Sequence, residues 1–356
     1  MYVTKNGKKY RAWEYVVIDG VQKRISVTMD RDTPQARNKA AKQLEAIKNR
    51  PTNDMTYSEL VAVYITYQKA TCKMSTWTRN KATLERLELT FGKNKKVNEM
   101  TSGFITSKLL SKTQNPGTFN EYLKRIKAMF RWAYRNDFIQ SSACVDKIKP
   151  LKDDRAVKLE NKYLEPDELK QVLAAADYYY GPVFEFLALS GLRIGELIAL
   201  NDEDVTETDI IVNKTYDSRN GVINTPKTTA GCRQVHIQPE LQKCIKKIRL
   251  NSKEHCLACG NRRPYFVVSI LGERLSYDMS NRLFKGLCAR LTSKPLTIHA
   301  LRHTHVSLMA EKVDIEAISR RLGHANSKIT RDIYYHVTKK QKEKDNAAFD
   351  AVKIFG

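Results

Sequence analysis

The sequence predicts a mainly α protein with small β-sheets (α+β), divided into three domains. Three observations carry this. Strand-like alternation of apolar and polar residues is confined to the first thirty positions and to a stretch near 210–237. Apolar residues recur at intervals of three and four, the helical period, through 55–147 and again from 163 to 337. Between them, DKIKPLKDDRAVKLENK (146–162) is dense in charge and keeps no apolar period, as a linker does. The expected domains are residues 1–53, 54–147 and 163–356, with 148–162 as the connection.

Composition narrows the partners. A formal net charge of +23 over 356 residues favours a polyanion, and 42% hydrophobic content is enough for packed cores. No stretch is long and apolar enough to span a bilayer, so a membrane partner is not expected. Lys5, Lys8, Lys9 and Arg11 are followed by no apolar run, so no secretory signal is read. Seven cysteines in no regular framework suit a reducing, cytoplasmic setting. His255-Cys256-Leu-Ala-Cys259 resembles half a zinc knuckle, but no second pair follows at matching spacing. A tight turn in an insertion over 251–264 is the reading, a zinc half-site the alternative. Neither a metal nor a cofactor is called.

The first domain reads as two β-rich runs within KYRAWEYVVIDGVQKRISVTM, turned at Asp19-Gly20. A helix follows from Pro34, capped by Thr33, with Ala40, Leu44 and Ile47 on its apolar face. Residues 1–50 carry 12 Lys and Arg against 5 Asp and Glu, so a basic sheet face is a candidate DNA surface, with Arg11, Lys23 and Arg24 as candidate contacts and a solvated appendage as the alternative.

The second domain reads as four helices. Tyr57, Leu60, Val61, Tyr64 and Ile65 mark the first. Ser75 or Thr76 caps the second, and Thr101 or Ser102 opens the third. Phe119, Tyr122, Ile126, Met129, Phe130 and Ala133 mark the fourth, which ends near Asn136. The opposite side of that helix carries Lys124, Arg125, Lys127, Arg131 and Arg135, a single-sign face suited to phosphates.

In the third domain, Glu165-Pro166-Asp167-Glu168 starts a helix, and a second helix breaks at Gly191, just before Arg193 and Glu196. Strands are read at 210–213, 221–224 and 233–237. Pro226 and Gly231 set Lys227 in a hairpin turn. A further strand is read at Phe266-Val267-Val268, and a helix over 281–291. HALRHTHVSLMAEKVDIEAISRRLGHANSKITRDIYYHV (299–337) then alternates helix and turn, with His299, Arg302, His324 and Tyr334 at helix ends and turns. A tyrosine beside guanidinium and imidazole donors suits nucleophilic attack on a phosphodiester. The tail beyond Val337 reads as a charged run and a short helix whose apolar stripe (Ala348, Phe349, Val352, Phe355) needs a partner, in its own domain or on a neighbour.

Gly191-Leu-Arg193, Pro226-Lys227-Thr228 with Arg233, His299-x-x-Arg302, Leu322-Gly323-His324 and Tyr334-x-His336-Val337, in this order, resemble the motifs of the tyrosine recombinase (phage integrase) family. The resemblance spans about 55–340 and is sharp over 190–337. It implies a catalytic domain of the DNA breaking-rejoining type, with Arg193, Lys227, His299, Arg302 and His324 around the nucleophile Tyr334, and Glu196 in support. A surface ion pair with Glu196 is the bland alternative for Arg193, and Tyr335 is the rival nucleophile. The resemblance also implies a helical, SAM-like core-binding domain that forms half of a clamp, and a more loosely matched amino-terminal arm-binding domain. The implied partners are double-stranded DNA at core and arm attachment sites, three further copies in a homo-tetramer, a directionality factor and a DNA-bending host protein. The implied activity is integration and excision of a mobile element or prophage, in the cytoplasm and nucleoid of a bacterial host. An Xer-like dimer resolvase and a catalytically silent DNA-binding regulator are the alternatives.

Overall fold

The computed structural model describes residues 1–7, 9–18, 21–48, 55–153, 159–226, 229–260, 263–310, 312–323 and 328–351. The chain divides into two compact units, 1–154 and 155–356.

The first unit opens with an antiparallel sheet of three strands, β1 Tyr2–Asn6, β2 Lys9–Ile18 and β3 Val21–Met29, in the order β1-β2-β3. The sequence showed β2 and β3. It did not announce β1, whose five residues YVTKN are too short for a pattern and gain their place by pairing Tyr2 with Trp13. Asp19-Gly20 lies outside the described residues. Alternation sends Ala12, Val16 and Met29 to one face, where they are buried, Ala12 and Met29 with Ala40 and Leu44 of helix α1 (Pro34–Lys48). The Thr33 hydroxyl accepts from the Ala36 amide, which opens that helix as read.

The remainder of this unit is helical: α2 Tyr57–Thr71, α3 Met74–Phe91, α4 Ser102–Lys112, α5 Pro116–Arg135 and the single turn α6 Ala143–Asp146. Thr56 and Glu59 form a reciprocal capping box, Thr101 caps α4, and Asn115 before Pro116 caps α5. Helix α3 starts earlier than Ser75 or Thr76: the extended Lys73 offers its carbonyl to the Thr76 and Trp77 amides, so both hydroxyl residues lie inside the first turn. Phe119, Leu123, Ile126, Met129, Phe130 and Ala133 form the inward stripe of α5, against Leu60, Leu84, Leu87 and Ile105. Ile148 and Leu151 pack on the same core, and the Leu151 amide donates to Asn120 at 2.8 Å.

The second unit contains α7 Pro166–Ala175, α8 Tyr180–Ser190 and α9 Ile194–Ala199, then strands β4 Asp209–Val212, β5 Thr215–Asp217, β6 Val222–Asn224 and β7 Arg233–His236. Helices α10 Pro239–Ala258, α11 Tyr277–Leu291, α12 Ala300–Met309, α13 Ile315–Leu322 and α14 Lys328–Ala351 complete it. Four readings are corrected here. Residues 251–258 form no loop insertion: they continue α10, whose Ser252 and His255 are buried. Phe266-Val267-Val268 is buried but not a strand; single bridges at Tyr265 and Val268 hold it. Strand β6 pairs with β5 and β7 with β4, so 225–232 joins two sheets and closes no hairpin between them. Tyr334 sits in the second turn of α14, not at a helix end, and the charged tail continues that helix to Ala351. Of its apolar stripe, the side chains of Ala348 and Phe349 and all of Val352 and Phe355 lie outside the described residues. Among the described residues, no helix is long and apolar enough to cross a membrane.

Candidate active site

Helix α8 ends because Gly191 turns left-handed (φ 70°). Only glycine fits: a Cβ there would stand 2.7 Å from both the His305 ring and the Leu322 side chain. The reversal aims Arg193, in extended backbone, at the start of α9. Its amide donates to Glu196 Oε2 at 2.9 Å, and its guanidinium to Oε1 at 2.7 Å. The ion pair with Glu196 therefore exists, but it is no surface pair: Glu196 is 4% exposed. The Arg193 side chain is 39% exposed, open to a ligand.

Arg302 enters from α12 and is 1% exposed. It donates Nη1 to the Gly191 carbonyl (2.7 Å) and Nη2 to the Leu322 carbonyl (2.5 Å), clamping the ends of α8 and α13. Its Nη1 is 3.9 Å from Glu196 Oε2. Burial lowers the Arg302 pKa to about 9, with Arg193 adding to the effect and Glu196 opposing it, so it stays cationic at neutral pH. Burial pushes the Glu196 carboxyl up, but hydrogen bonding and charge from Arg233, the Arg193 amide and Arg302 outweigh it and hold the carboxyl at about 2.

His299 precedes α12 and remains exposed. Desolvation, then the charges of Arg302 and Arg193, lower its pKa, so it is neutral at pH 7 with a lone pair to offer. His303, one turn on, packs edge to face on His299 with ring centroids 5.1 Å apart. Burial and the neighbouring His299, Arg302 and Lys162 lower it to about 4. Lys227 and His324 lie outside the described residues.

Tyr334 packs on the small core formed by Tyr163, Val306, Ala310, Ile318, Leu322, Ile333 and Val337. Tyr335 meets it edge to face at 5.7 Å but is 61% exposed. The Tyr334 side chain is thus held against the elements that carry Arg302, whereas Tyr335 points away.

The expected DNA-contact residues divide. In the first unit, Lys124 and Arg135 are exposed. Arg125 is engaged by Glu121, Lys127 donates to the Ile148 carbonyl at 2.6 Å, and Arg131 pairs with Asp146 at 2.7 Å. Arg11 is exposed, and the Arg24 guanidinium lies 4.0 Å from the Trp13 ring, on the sheet face opposite α1. The Lys23 side chain is outside the described residues. The zinc alternative loses its geometry. His255 turns inward against Tyr179, and the Cys259 thiol donates to the Ile270 carbonyl. Among the described residues, no group of three or more His, Cys, Asp or Glu could hold a metal ion.

Sequence reasoning missed Arg233 as a site residue. The motif of Pro226-Lys227-Thr228 with Arg233 included it without giving it a role, and two of its partners, Glu196 and Arg321, come from distant segments.

The Phage integrase family model matches residues 162–341. The prophage ps2 probable integrase of Lactococcus lactis subsp. lactis (strain IL1403) is 30% identical over 351 residues, covering 90% of this chain and 91% of its own length. The ICEBs1 integrase of Bacillus subtilis (strain 168) is 24% identical over 319 residues, covering 86% of each. In fold, the chain is similar to the Tn1549 transposon integrase solved with transposon right end DNA (TM-score 0.64, 22% identity, 82% of this chain and 99% of that one). It is also similar to a lambda integrase from a tetramer bound to a Holliday junction (TM-score 0.59, 15% identity, 92% and 93%). With half its length matched by the family model and most of it aligned to a 30%-identical relative, the chain belongs to the phage integrase family, the site-specific tyrosine recombinases of phages and conjugative elements.

Proposed function

We propose that this integrase cuts and rejoins DNA through a 3′-phosphotyrosine on Tyr334, integrating and excising the element that carries it. The observation that carries the reading is the grouping of Arg193, Arg302 and neutral His299 around buried Glu196, with Tyr334 packed on the adjoining core. Arg193, the exposed guanidinium, binds a non-bridging phosphate oxygen. Arg302 acts from beneath as a fixed positive charge. Donors set where charge develops are worth on the order of 3–4 kcal/mol each. His299 takes the phenol proton as the Tyr334 oxygen bonds to phosphorus and the bond to the 5′ oxygen breaks. Lys227 gives that oxygen its proton, and His324 donates to the phosphate. The phosphotyrosine conserves the bond energy, so a second strand's 5′ hydroxyl can reseal the DNA without ATP, and no step calls on a metal.

By this reading residues 1–53 bind arm sites and 54–147 core sites, joined by 148–162 to a catalytic domain over 163–356. The working form is a tetramer on two DNA sites, aided by a directionality factor and a DNA-bending host protein, in the bacterial cytoplasm. The lambda integrase tetramer on a Holliday junction supports the assembly, and the Tn1549 complex supports the DNA partner. The test uses a nicked duplex of the protein's own attachment core, taken from the element–chromosome junction, with chelator present. Wild type and Tyr335→Phe leave a denaturation-resistant adduct and Tyr334→Phe leaves none. An adduct that survives in Tyr334→Phe, or cleavage that stops in chelator, overturns the reading.

A further inference from the structure

The side chain that binds this site together is one to which the chemistry gives no part. Arg233 opens β7, and its side chain is 6% exposed. Its Nη2 donates to Glu196 Oε2 at 2.9 Å and its Nη1 to Oε1 at 3.3 Å. Nη1 also meets the Gly231 carbonyl at 3.2 Å, and Nε donates to the Arg321 carbonyl at 2.7 Å. One guanidinium thus joins the start of α9, the turn that follows Lys227 and the end of α13 that precedes His324. The last two are pressed together. A Cβ on Gly323, left-handed at φ 68°, would stand 2.5 Å from the Ala230 carbonyl and 3.1 Å from Arg233 Cδ.

We propose that Arg233 is a positioning residue that sets the Thr229–Gly231 turn, two residues along the chain from Lys227, against the Leu322-Gly323 turn, and so governs proton delivery to the leaving 5′ oxygen. Arginine is required because three acceptors in three directions need its planar fork. A lysine ammonium has one centre and a different reach. The inference rests on the proposed roles of Tyr334 and Lys227. It goes beyond them in predicting that damage at Arg233 falls on the leaving group, not on DNA binding or on attack.

The test compares wild type, Arg233→Lys and Tyr334→Phe on two nicked core duplexes that are alike except at the scissile phosphate, which carries either the natural 5′ bridging oxygen or a 5′ bridging sulfur. A thiolate leaves without a proton. Arg233→Lys is expected to bind either duplex within threefold of wild type, to cleave the oxygen substrate at least thirtyfold more slowly, and to cleave the sulfur substrate within fivefold of wild type. Equal slowing on both substrates, or no slowing, overturns the proposal. Should Arg233→Lys lose its cooperative melting transition, Gly323→Ala, which pushes on the same joint and leaves Arg233 in place, is read in the same way and is expected to show the same preference for sulfur. If wild type forms no Tyr334-dependent adduct on either duplex, the failure lies in the phosphotyrosine reading, and this inference falls with it.

Discussion

Arg233 and Glu196 face each other as a two-point pair, 2.9 and 3.3 Å, with side chains only 6% and 5% exposed. Removing one partner leaves the other as an uncompensated buried charge, which costs on the order of 3–5 kcal/mol. Glu196→Gln is expected to lower the melting temperature of the catalytic unit by roughly 10 °C, at about 2–4 °C per kcal/mol for a unit of this size. Differential scanning calorimetry reads it, and a fall under about 2 °C would mean that the pair is dispensable.

Acid should act on the same pair. The Glu196 carboxyl is held at about 2 in the folded chain against an ordinary 4.5. A depressed carboxylate stabilises the fold above its unfolded pKa, and that contribution fades as pH falls toward the folded value. Stability from this group is therefore complete above about pH 5 and lost between about pH 4.5 and pH 2, amounting to about 3 kcal/mol. Urea midpoints for wild type and Glu196→Gln should converge across that window, whereas parallel curves would deny Glu196 its shift.

The two arginines should fail differently. Arg193→Ala removes a side chain that is 39% exposed, so the protein is expected to melt nearly as wild type while its single-turnover cleavage falls about 10²–10³-fold. Arg302→Ala strips two buried carbonyls of their donor and removes a cation from beside Glu196, so it is expected to lose at least about 3 kcal/mol of stability as well. Calorimetry beside single-turnover assays separates them. Matching stability losses in both variants would contradict the buried and exposed division.

On the amino-terminal sheet, Arg24 over Trp13 and exposed Arg11 occupy the face opposite α1. Replacing both with Gln should weaken arm-site binding and reduce the salt slope of log K by about 2, one for each lost phosphate contact. Titrations across salt concentrations read the slope. An unchanged slope would move the DNA surface off this face.

Much of this architecture is legible in the chain because it is set locally. Thr33, Thr101 and Pro116 start helices where they occur in sequence. The α5 stripe from Phe119 to Ala133 repeats at the helical period, and Gly191 and Gly323 end helices by turning left-handed. The catalytic motifs are local too, since each needs only its own turn, and the resemblance they carry is to the family to which the chain belongs. Helix and strand are harder to separate where apolar runs are short. Phe266-Val267-Val268 reads as a strand, yet it is buried by its surroundings without a ladder to join.

What the sequence by itself determined is therefore most of the helices, several of their caps, the family and the residues offered to the chemistry. Only the tertiary structure decided how those residues are held: that Arg193 is open while Arg302 is buried, that Tyr334 packs inward while Tyr335 does not, and that β7 pairs with β4 and not β6. It alone made Arg233 the joint of the site, because two of that side chain's three partners lie 37 and 88 residues away, at Glu196 and Arg321. A hydrogen bond between such distant positions leaves no period and no spacing in the chain. It exists only once burial has brought the segments together around the guanidinium.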